Sequence, residues 1–189
     1  MQATLIPHPL TPCPAVDRIE VEVERVGEGG LFLAYSLFGS LGDIRLPEAT
    51  PGPASGPTDE LWRHSCFEAF IRNGDADGYL ELNFAMSGEW AAYRFSGYRE
   101  GMTSANVSPH ACQGWWGPQP EPLRLEVWID PGRMTRPDLP ASLWRMGLSA
   151  VVETTDGAIS YWALAHPPGK PDFHHPDSFA LTLPPPEPA

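Results

Sequence analysis

Wherever this chain shows a hydrophobic rhythm, the rhythm has a period of two. Ile19, Val21 and Val23 alternate with Glu20, Glu22 and Glu24, and Leu123, Leu125, Val127 and Ile129 alternate with Arg124, Glu126, Trp128 and Asp130. Successive side chains of an extended strand point to opposite faces, so each segment reads as a strand with one dry and one wet face. The 23 prolines and 18 glycines among 189 residues cut the chain into short pieces and favour strands and loops over helices. About nine strands are expected, with turn signals between most of them, which is the pattern of an all-β, single-domain antiparallel β-sandwich. It would span residues 18–183, preceded by an N-terminal extension (1–17) and followed by a Pro-rich tail (184–189).

The most informative stretch is residues 79–95. Two strands fold back through Ser87-Gly88, a pair suited to a two-residue turn. In that register Phe84 meets Ala91 and Leu82 meets Tyr93 on an apolar face, while Asn83 meets Ala92, Ala85 meets Trp90 and Glu81 meets Arg94 on the other. The second face would hold a polar ligand: an indole stacks on a sugar ring, and Glu, Asn and Arg bond its hydroxyls. Glu68 shares the parity of Cys66 and Phe70, opposite Phe67, Ala69 and Ile71, and joins this face if its strand neighbours 79–84. The competing expectation is an ion-pair network of Glu68, Glu81 and Arg94 on a solvated sheet.

Composition narrows the partners. A net charge of −12 with no basic cluster argues against nucleic acid and anionic membranes. Met1–Pro14 has no basic region followed by an apolar run, and Cys13, Cys66 and Cys112 have neither metal nor redox spacing. A cytoplasmic protein with free thiols is therefore expected.

Other candidates lie in loops. Residues 98–119 lack periodicity and read as a long covering loop, in which Trp115 or Trp116 could serve as a ligand platform, whereas Trp62 reads as core. Residues 166–176 form a Pro-stiffened loop bordering the same site. His64, His166, His174 and His175, with Asp172 and Asp177, have the chemistry of metal ligands, but neighbours in an extended chain point apart, so no metal site is expected. No phosphate loop, nucleophile elbow or metalloprotease helix is present, and no enzyme is expected. Glu68 and Glu81 would make a glycosidase pair only at a separation the sequence does not give.

The runs Asp59–Phe70, Tyr79–Phe84, Ser87–Phe95 and Ser160–His175 resemble the bacterial DOMON-like proteins, over roughly residues 18–183. These are related to family-nine carbohydrate-binding modules and haem-binding DOMON domains. The resemblance implies a β-sandwich and two ligand classes. One is carbohydrate, held at Glu68, Glu81, Asn83, Trp90 and Arg94 with Trp115 or Trp116. The other is haem in an electron-transfer domain, with axial ligands drawn from Met86 or Met102 and His166, His174, His175 or Lys170. A module meeting a protein partner through its outer sheet is the third expectation.

Overall fold

Alternation becomes strand along nearly all of the chain. The computed structural model describes residues 1–26, 30–47, 56–109, 111–116, 121–129 and 143–185. Among these are twelve strands: β1 (Gln2–Pro7), β2 (Val16–Val26), β3 (Gly30–Gly39), β4 (Cys66–Asn73), β5 (Tyr79–Phe84), β6 (Trp90–Phe95), β7 (Thr103–Ser104), β8 (Ala111–Trp116), β9 (Leu123–Ile129), β10 (Trp144–Glu153), β11 (Ile159–Ala163) and β12 (Leu181–Leu183). Helix is confined, among the described residues, to single 3-10 turns such as Leu61–Arg63 and Pro176–Ser178.

All strand pairings are antiparallel, along the path β7-β6-β5-β4-β10-β11-β1-β2-β3-β9-β8, with β12 paired to β10 off that path. The crease is β1. Its Gln2–Leu5 stretch pairs with β2, whereas Ile6 and Pro7 pair with β11. The sheet curls there, and its halves close on one hydrophobic cluster. Ile19, Val21, Leu33 and Tyr35 come from one side, Phe67, Leu82, Phe84 and Leu148 from the other. Tyr35 ties them together: its ring lies 5.1 Å from that of Phe67, and its hydroxyl donates to the Glu68 carbonyl at 2.7 Å. The all-β antiparallel character matches expectation, but there are twelve strands on one continuous curled sheet. The three extra strands are β1, β7 and β8. Residues 2–7 belong to the sheet and are no extension, and 98–119 is in part strand. Gly114 breaks the alternation of β8, and β7 is only two residues long, so neither announces itself by rhythm. The sequence also offers a Gly29-Gly30 turn before β3 and a loop rich in Pro, Gly and Ser at 47–58; Gly29, most of that loop and the last four residues of the tail lie outside the described residues.

The β5–β6 hairpin departs from the expected register by one residue. Phe84 pairs with Trp90, Asn83 with Ala91, Leu82 with Ala92 and Glu81 with Tyr93. The connection holds three residues, Met86-Ser87-Gly88, closed by Gly88 N–H to the Ala85 carbonyl (3.0 Å) and Ala85 N–H to the Glu89 carbonyl (2.9 Å). Gly88 has φ +86°, the left-handed position that ends a three-residue hairpin loop. A slip of one residue exchanges the faces of a strand. Trp90, Ala92 and Arg94 therefore share the parity that faces the inter-half core, and Trp90 packs against that core. Ala91, Tyr93 and Phe95 take the outer side. The β10–β11 connection, where Asp156-Gly157 is a second hairpin signal in the sequence, is closed by an equivalent pair of bonds between Thr154, Gly157 and Ala158.

Candidate functional site

The outer face of β4, β5, β6, β10 and β11 is not left to solvent. A second apolar cluster forms there, in which Phe70, Tyr79, Tyr93 and Phe95 of the strands meet Phe173 and Phe179 of the segment before β12. That segment lies close because Gly147 of β10 has no side chain; a Cβ there would stand 3.1 Å from the Ser178 carbonyl oxygen. Asp172 pins the cover. One of its oxygens accepts from Arg99 Nη2 (2.8 Å) and from the His174 N–H (3.1 Å), and the other accepts from the Tyr98 hydroxyl.

Between cover and sheet lies an open cleft of about 610 Å³. Trp62, Phe70, Phe95, Tyr161 and Phe173 wall it, Glu68 and Glu81 reach it from the floor, and Arg99, Met102 and Lys170 stand at its mouth with His174 beside them. The floor is polar and dry. Glu68 is 2% exposed and Glu81 5%. Glu68 pairs with Asn83 across the β4–β5 ladder and with Ser149 across the β4–β10 ladder. Ser149 Oγ donates to the Glu68 carboxyl at 3.0 Å, and Asn83 Nδ2 donates to that of Glu81 at 2.8 Å.

Burial acts on every titratable group here. Desolvation, then the negative charge of Glu81, pushes the Glu68 carboxyl up to about 8 against the pull of Ser149. Burial raises Glu81 as well, opposed by Asn83 and by the positive charge of Arg99. His174 is brought down to about 4 by desolvation and then by Arg99. Near neutral pH the floor therefore carries a protonated Glu68, and His174 is uncharged. The Tyr79 hydroxyl accepts from the Arg99 N–H (3.2 Å) and is hydrogen-bonded to His174 Nδ1 at 2.8 Å. Nε2 of the uncharged imidazole lies 3.7 Å from Glu81, a polar contact and not an ion pair.

Of the residues singled out from sequence, Glu68, Glu81 and Asn83 meet on this face, and His174 and Lys170 border the same cleft. Trp90 and Arg94 do not join them, because the register slip turns their parity to the core side. Trp115 stands 43% exposed on β8, in register with Arg124 on the other half of the sheet. Trp116 follows it on β8, and its side chain lies outside the described residues. Met86 is buried between the halves, packed at Gly114, and is absent from the cleft. Trp62, expected in the core, is a half-buried wall of the cleft, with its ring edge-on to Tyr93 at 5.6 Å. His64 is far from this chemistry, bonded to Glu153 at 2.7 Å. Among the described residues no three His, Cys, Asp or Glu side chains gather as a metal ion requires, and no helix is long and apolar enough to cross a membrane. Sequence reasoning did not single out Phe70, Phe95, Arg99, Tyr161 and Phe173 as cleft residues; the signals were the covering loop expected at 98–119 and the crowding of Pro and His in 166–176.

No protein-family model matches the chain, and no curated protein matches it. Among solved structures it is similar to a "putative carbohydrate-binding protein" from Bacteroides uniformis, with a TM-score of 0.61 and 16% identity. The match covers 94% of this chain and 83% of that one. At such identity the likeness is one of fold.

Proposed function

We propose that this is a DOMON-like, non-catalytic binding protein that takes a small polar, carbohydrate-like ligand into the cleft over β4, β5, β10 and β11. The observation that carries this reading is the meeting of Glu68 and Glu81 at the floor of an aromatic-walled recess, with Asn83 behind them holding Glu81. Binding sites are concave and mostly apolar, with a few convergent polar groups that set orientation. Sugars ask for that combination: C–H faces to lie on rings, and hydroxyls that need donors and acceptors at once. Protonated Glu68 supplies a donor and an acceptor, Glu81 supplies acceptors. Trp62 takes the stacking role first expected of Trp90. The name of the Bacteroides uniformis neighbour agrees with a binding role, and the three buried free thiols agree with a reducing compartment such as the cytoplasm.

Intrinsic fluorescence tests this, since seven tryptophans are present. Sugars that bind should shift emission, and Trp62→Ala should remove the shift while leaving the melting temperature within a few degrees, a change of about 1 kcal/mol. Unchanged emission and no heat of binding across a glycan panel would transfer the role to a protein-interaction module. The haem reading draws on Met102, Lys170 and His174, which stand around the same cleft. A Soret band in protein expressed with added haem precursor would favour it over a sugar.

A further inference from the structure

Two carboxyl groups at the floor of one dry recess are more than a neutral sugar needs. Hydroxyls can donate to both, yet they leave the charge of Glu81 and the suppressed charge of Glu68 uncompensated in a poorly solvated place. Ser149 is the hydrogen-bond donor to Glu68 among the described residues, and Glu81 has Asn83 and, at 3.7 Å, His174. All three partners are neutral. The two cations nearby stand at the mouth: Lys170 is exposed, and Arg99 is committed to Asp172. Around the floor are Trp62, Phe70, Phe95, Tyr161 and Phe173, whose ring faces attract positive charge. Acidic floor, aromatic walls and a net charge of −12 all favour a cation, the last by steering it inward.

We propose that the ligand is an amino sugar whose protonated amine seats against Glu68 and Glu81 among these rings. This rests on the carbohydrate reading of the cleft and narrows it. An ammonium group has three donors, enough for both carboxyl groups, and its charge makes those bonds stronger than a hydroxyl's. Glu68 gives up its proton as the amine arrives. The Glu68 O–H bond breaks, the proton goes to the buffer base, the amine stays protonated, and the cleft ends with two carboxylates around one cation. The groups close to Glu68 are few: Glu81 and Asn83 from β5, Cys66 from its own strand, Ser149 from β10 and, from the inner side of the sheet, Tyr35 of β3. Tyr79, His174, Arg99, Asp172 and Lys170 stand farther out.

The test is calorimetry with glucosamine, glucose and N-acetylglucosamine as probes, at about pH 6.5, where the amine is charged and Glu68 holds its proton. Each is run in two buffers that differ in ionisation enthalpy. Glucosamine should bind about tenfold or more tighter than either neutral sugar, as a charge-assisted bond implies. Its heat alone should change with buffer in the sense of proton release. Glu81→Gln should bring the three affinities together, and Glu68→Gln, nearly isosteric, should abolish the buffer dependence. If Glu68→Gln does not fold, the buffer dependence of the unaltered protein decides. Glucose binding as tightly as glucosamine overturns the amine assignment and leaves the carbohydrate reading standing. No binding by any of the three overturns both.

Discussion

The two outer faces of the curled sheet use the same residue types for opposite ends. On the β2–β3–β9 half, Glu22 and Glu126 flank Arg124 at 3.3 and 2.9 Å with side chains 41% and 26% exposed, and Phe32 and Trp128 of neighbouring strands meet with tilted rings 4.3 Å apart. On the β4–β5–β10 half, Glu68 and Glu81 are dry and, among the described residues, face no arginine at bonding distance. The strands differ little. What differs is the cover: no apolar cluster forms over the first face among the described residues, whereas 172–179 is pinned over the second by Asp172 and admitted by Gly147. A carboxylate becomes a site when a loop removes its water.

Four measurements can break or sharpen that contrast. The largest effect is expected at Trp90, which belongs to neither outer face. Trp90→Ala should cost about 3 kcal/mol by denaturant unfolding, as large-to-small changes against a core do, and leave ligand binding intact. Lost binding with unchanged stability would return Trp90 to the cleft.

Next comes the pH dependence of stability. Glu68 has a native pKa raised from 4.5 to about 8, so the native state holds the extra proton in that window and stability falls as pH rises through it. Glu81, also raised, acts with the same sign. His174, lowered from 6.5 to about 4, acts oppositely, adding stability as pH rises through its window. The two effects oppose one another below 6.5; from there to about 8 His174 no longer contributes, and the decline due to the buried carboxyls remains. Glu68→Gln should flatten that decline in urea melts at each pH, while the exposed Glu22→Gln should not.

Asp172→Asn should loosen the cover, costing about 1.5 kcal/mol of stability as a lost charged hydrogen bond does, and weakening sugar binding several-fold. The smallest change is expected on the uncovered face. Arg124→Ala should cost about 1 kcal/mol or less, shrinking further in high salt, because its partners are solvated. A loss as large as that of Trp90→Ala would mean the two faces are not different in kind.

The legible parts of this fold were local ones. The period of two placed β2, β4 and β9 and put Glu68 on the same face as Phe70 and opposite Phe67 and Ile71, as the structure has it. The hairpin failed on a single residue, because Ser87-Gly88 satisfies a two-residue turn on paper while Gly88 in fact closes a three-residue loop. That one step separated Trp90 and Arg94 from Glu81 and Asn83. The walls of the cleft were hidden for a different reason. Trp62, Arg99, Tyr161 and Phe173 come together from segments up to about a hundred residues apart, and no periodicity speaks to how loops fold over a face.

The crease strand β1 also sets the order in which this molecule can be completed. Its first residues pair with β2, some fifteen residues on, but Ile6 and Pro7 wait for Ala163 and Trp162. During synthesis the seam between the halves stays unzipped until β11 has left the ribosome. Until then the seam edge of β1 stays open to other chains, so exposure to aggregation persists until β11 closes it.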